Sequence, residues 1–159
     1  MILVASIKKE LEALLSHYKI QPIWVDDNQP IPGSYWGEPE AGIILNQLYI
    51  RNDTPLHSAL HESCHYVCMD DKRRATLHTN TGGDYDEENA VCFLQIVLSR
   101  QITMIDDYSL CDDMDQWGYT FRLGSAKRWF EEDASDALAW LNKYDILDKQ
   151  LSPTWKIRH

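Results

Sequence analysis

Long apolar runs are missing from this 159-residue chain. No stretch comes near the roughly 18 consecutive apolar residues of a spanning helix, so membrane insertion is not expected. Basic residues are in deficit: 15 Lys and Arg face 25 Asp and Glu, a formal net charge of −10. That balance removes the broad cationic face that phosphate backbones and anionic lipid attract, so neither nucleic acid nor membrane is an expected partner. Lys72-Arg73-Arg74 is the only short basic cluster. Cysteine is limited to Cys64, Cys68, Cys92 and Cys111. The apolar start, Met1 to Ser6, is too short for a secretory signal and has no basic residues before it. Reduced thiols and a cytoplasmic location are therefore expected, rather than a disulfide framework. Glycine is sparse, and Gly82-Gly83 lacks the Lys-Ser/Thr of a phosphate loop.

What remains is an ordinary globular composition, 44% apolar and 25% charged, in a chain long enough for one domain with a real core. The domain is expected to span residues 1–159, with its core at about 20–102 and a helical part at about 103–159. Ile7, Leu11, Leu14 and Leu15 follow helical spacing. Pro22 to Val25 reads as a short strand, Tyr35-Trp36 as the possible start of another, and Gly42 to Ile50 as a β-rich segment. A two- or three-stranded meander follows from that reading. Thr54 is the expected cap of a helix with Pro55 in its first position, running to about Met69. Asp84 and Asp86 are candidate caps of a second helix to about Gln101, whose centre from Ala90 to Leu98 is apolar almost all round and therefore deep in the core. Asp112-Asp113-Met114-Asp115 reads as a solvated cluster, and the tail after Pro153 as a loosely tied end. Core packing accounts for most of the six Trp residues; an aromatic peptide groove is the other reading.

His61-Glu62-Ser63-Cys64-His65 is an H-E-x-x-H on that first helix. Four residues make slightly more than one turn, so both imidazoles leave one face and can share a metal ion. Glu62 is rotated about 100° from His61, where it can take a proton from an activated water without binding the metal. A catalytic zinc site needs a third protein ligand and an open fourth position. The acidic start of the second helix supplies candidates. Glu87 shares a stripe with Ala90, Val91 and Leu94, whereas Glu88 shares one with Val91, Cys92 and Gln95. Glu87 is the favoured ligand and Glu88 the alternative, although Glu87 also suits a capping box with Asp84. His57, four residues before His61, or Cys64 and Cys68 would instead close a structural site. His78 and Tyr85, in the intervening loop, are possible oxyanion or substrate contacts.

These motifs resemble the gluzincin metallopeptidases, most closely the small ImmA/IrrE-type proteins, over roughly residues 20–100. There an H-E-x-x-H helix follows a strand, and a second helix opens with E-x-x-A, whose Glu is the third zinc ligand. Matched residue by residue, Ala90 takes the place of that Ala and Glu87 that of the ligand. Val91 stands where the family usually has an Asn, which leaves one histidine without its usual partner. The family's Met-Pro after the second helix is absent. The resemblance implies that the strand at about Gly42 to Ile50 is an edge along which an extended peptide aligns.

The expectation is an α+β, zincin-like fold: a small, mostly antiparallel sheet packed on the H-E-x-x-H helix and a second buried helix, with added carboxy-terminal helices. Its expected function is zinc-dependent hydrolysis of a peptide or protein substrate, with one Zn2+ per chain held by His61, His65 and Glu87 and with Glu62 as general base. The alternative is a non-catalytic, zinc-stabilised protein-interaction domain.

Overall fold

Val4, Ile7, Leu11, Leu14 and Leu15 are all buried. In the computed structural model, which describes all 159 residues, they line one side of a 3-10 turn (Val4–Ile7) that runs into α1 (Lys8–His17). Three strands follow: β1 (Gln21–Val25), β2 (Gly42–Ile44) and β3 (Gln47–Arg51). Their order is β1-β3-β2, with β1 parallel and β2 antiparallel to β3. The sheet is therefore mixed, not a mostly antiparallel meander. Only β2 and β3 form a hairpin. Between β1 and β2 the chain makes a polar excursion whose turns include Asn28 and Gly33 at positive φ, and Tyr35-Trp36 lies in a bend and not in a strand.

The outer edge of β2 is occupied by the protein's own chain. The Ile43 N–H donates to the Gly33 carbonyl (3.3 Å), the Ile43 carbonyl accepts from Thr79 (2.9 Å), and the Leu45 N–H donates to the Leu77 carbonyl (2.9 Å). Gly42 permits the approach, because a Cβ there would overlap the Pro32 carbonyl. The open edge implied by the family resemblance is thus absent from β2, and β3 is the central strand.

α2 (Leu56–Cys68) follows β3. Thr54 does not cap it: the Thr54 hydroxyl oxygen accepts from the Arg51 N–H (3.0 Å), while the Leu56 N–H donates to the Ile2 carbonyl (2.8 Å). The helix's first donors are thus met by a neighbouring segment instead of a local side chain. Every α2 residue except His61 is buried. At the other end, Arg74 from the short α3 (Asp71–Arg74) donates from Nε to the Tyr66 carbonyl (2.9 Å). The Arg158 backbone N–H donates to the Val67 carbonyl (2.9 Å). The basic cluster and the carboxy-terminal tail therefore cap a core helix, and the tail is tied down.

α4 (Tyr85–Ser99) begins where the acids predicted it, with the Asp84 carboxylate accepting from the Glu87 N–H (2.9 Å). Ala90, Val91, Leu94, Ile96 and Leu98 are buried, and α4 packs across α2. α5 (Ser109–Trp117), α6 (Ala126–Glu132) and α7 (Ser135–Lys143) complete the domain, with α7 against α4. Asp113 on α5 is buried and accepts from the Ile2 N–H (2.8 Å), so the acidic cluster there is not wholly solvated. No helix is long and apolar enough to cross a membrane, and all four cysteines are free and buried.

Candidate metal centre

His61 and His65 leave α2 on one face, and their Nε2 atoms lie 3.2 Å apart. The carboxylate beside them belongs to Glu88. Its Oε1 is 3.2 Å from His61 Nε2 and its Oε2 is 3.1 Å from His65 Nε2. Glu87 turns the other way, which corrects the expectation that it faces the imidazoles. It is buried, takes two hydrogen bonds from Arg73 (2.6 and 2.9 Å) and one from Arg158 (3.1 Å). Consecutive helical residues diverge by about 100°, so the two acids cannot share a partner. Gly83, at φ +102°, makes room for this arrangement, since a Cβ there would collide with the Glu87 carboxylate.

Gln95 orients the site. Its amide nitrogen donates to the His57 carbonyl (2.9 Å), which leaves Oε1 facing His61 Nδ1 at 3.0 Å. With His61 Nδ1 donating to Gln95, Nε2 is the ring nitrogen turned to His65 and Glu88. His65 Nδ1 is buried without a partner, which matches the missing polar residue at Val91. The Glu88 carboxyl is held well below its usual range: burial alone would raise it, but the hydrogen bonds and charges of both histidines outweigh that.

The cluster opens into a cleft of about 380 Å³ lined by Trp36, Glu40, Ser58, Glu62, Trp117 and Tyr119 together with His61 and Glu88. Burial pushes the Glu62 carboxyl up to about 7, against the pull of His61. Burial likewise raises the Tyr119 phenol to about 12, so its O–H stays protonated. The Tyr119 oxygen lies 3.5 Å from Gln95 Nε2 and 3.4 Å from His57 Nδ1. His57 is buried and falls to about 4 for the same reason.

His57 and the cysteines do not join the cluster, which consists of His61, His65 and Glu88. Neither His78 nor Tyr85 lines the cleft: His78 bonds its neighbour Thr79 (2.8 Å) beside β2, and Tyr85 is 72% exposed at the start of α4. Sequence reading missed Tyr119, Glu40 and the orienting role of Gln95. Gln95 had a signal, as a polar residue within the apolar helix and two turns from Glu88. Tyr119 and Glu40 had none, because neither belongs to a spaced motif. Comparisons with protein-family models, curated proteins and solved structures returned no match.

Proposed function

We propose that this protein is a zinc-dependent hydrolase of peptide bonds built on a zincin-like arrangement of α2 and α4, with His61, His65 and Glu88 as the residues that would hold the ion. The observation that carries this reading is the convergence of the His61 and His65 Nε2 atoms and the Glu88 carboxylate within 3.1–3.2 Å of one another, with no Lys or Arg among them. Ligands around a tetrahedral ion with bonds of about 2.0–2.1 Å stand roughly 3.3 Å from one another, which supports the assignment. Zinc held there would supply the Lewis acidity that acidifies a water and polarises a carbonyl.

The chain's own residues supply the rest. Glu62, whose carboxyl burial pushes up to about 7, accepts a proton from the attacking water and returns it to the leaving amine. Tyr119 keeps its O–H and faces the same cleft, where it can donate to a developing oxyanion. Gln95 holds His61 in the tautomer the site needs. A second reading, a zinc-stabilised interaction domain without turnover, is favoured by one observation: the outer edge of β2 is already filled by residues 33 and 77–79.

Hydrolysis separates the two. Zinc-reconstituted protein is expected to cleave a denatured protein or a mixed peptide pool, and a chelator should stop it. Glu62→Gln should keep its zinc and lose about a hundredfold or more in rate. Undiminished cleavage by Glu62→Gln would refute the base assignment, and no cleavage by the loaded wild type would favour the second reading.

A further inference from the structure

Glu40 is a buried acid with no Lys or Arg beside it. It lies just before β2, is 3% exposed, and its Oε1 is shut from solvent with no donor. No Lys or Arg pairs with it; Arg51, the nearest in sequence, is engaged by Asp53 (2.7 Å) and Glu38 (3.1 Å). Buried carboxylates are costly unless paired, and an orphaned acceptor in a cleft marks a place where a ligand's donor can complete the set.

The surroundings fit one kind of ligand. Glu40 lines the same cleft as His61 and Glu62, and no Lys or Arg lines it. Trp36 and Trp117 form aromatic walls and are 68% and 45% exposed. Indole faces attract cations through their quadrupole, most strongly where water is partly excluded. Within a chain of net charge −10, acid and aromatic groups together favour a cationic group and disfavour an anionic one.

We propose that Glu40, Trp36 and Trp117 form a subsite for a protonated amine or guanidinium carried by the substrate peptide, next to His61 and Glu62. The proposal deepens the hydrolase reading and rests on it for the peptide as carrier. Two sources share this chemistry, the peptide's α-ammonium group and a lysine or arginine side chain.

The test is calorimetric binding of related tetrapeptide amides to the full chain, both zinc-loaded and metal-free. The probes are Ala-Ala-Lys-Ala amide with a free or acetylated amino terminus, and the same pair with norleucine in place of lysine. The acetylated norleucine peptide, which carries no charge, should bind about tenfold or more weakly than the best charged one. Whichever singly charged peptide keeps the affinity identifies the source. Glu40→Gln should erase the difference, and Trp36→Ala, at an exposed position, should reduce it with an unchanged circular dichroism spectrum.

Absence of binding, equal binding of the neutral peptide, or discrimination that survives Glu40→Gln would overturn the subsite. If Glu40→Gln fails to fold, discrimination undiminished in Trp36→Ala overturns it instead. Charge-selective binding without cleavage by the zinc-loaded protein would defeat the hydrolase reading and leave the subsite. Cleavage without charge preference would do the reverse.

Discussion

The first turn of α4 has two sides, and neighbouring glutamates face them. On one side Glu87 is buried against Arg73 and Arg158, its charge matched twice over. On the other Glu88 meets only the imidazoles of His61 and His65, with its side chain 48% exposed at the cleft. The same residue type, one position apart, thus serves a closed ionic joint and an open cluster with two imidazoles. A carboxylate surrounded by guanidinium donors is already satisfied. One that faces two imidazole nitrogens and no guanidinium is suited to a cation from outside.

The largest expected effect lies on the closed side. Glu87→Gln should lower stability by about 3 kcal/mol in urea unfolding, because it leaves two guanidiniums near the core without their acid. Zinc stoichiometry should stay at wild-type level. A loss of zinc with unchanged stability would reverse the roles given to the two acids.

Gln95→Leu sharpens the open side. It removes the acceptor that fixes His61 and should weaken zinc binding by about 10- to 100-fold in a chelator competition. Unchanged affinity would mean that the helix backbone alone orients the ring. A smaller effect concerns His57, whose folded value near 4 lies below its ordinary 6.5 because of burial. The unfolded chain then takes up the proton first, so this contribution to stability is complete above about pH 6.5 and is lost as pH falls towards 4. His57→Gln should flatten that part of a stability-against-pH curve of the metal-free protein. An identical slope in the variant would place the titration elsewhere.

The α2 imidazole pair and the Asp84 cap of α4 were legible in sequence, because each depends on contacts within about one helical turn. The choice between Glu87 and Glu88 was not. α4 is buried almost all round, so its apolar stripe does not say which side meets α2. The groups that claim Glu87 lie 14 and 71 residues away. The parallel pairing of β1 with β3 was hidden for the same reason, since it depends on the excursion between β1 and β2 and not on a local turn. Thr54 was misread because Ile2, distant in sequence, supplies the acceptor that a cap would have provided. Trp36 and Trp117 line the cleft, but only the folded chain brings Glu40 to it as well.

The central claim is that the open side of α4 holds a metal ion and the closed side does not. Zinc titration of purified wild type, Glu88→Gln and Glu87→Gln, with a competing chromophoric chelator, tests it directly. The expected result is about one tightly held ion per wild-type chain, affinity reduced at least about a hundredfold in Glu88→Gln, and wild-type affinity in folded Glu87→Gln. Equal zinc binding by wild type and Glu88→Gln, or none by the wild type, would contradict the account.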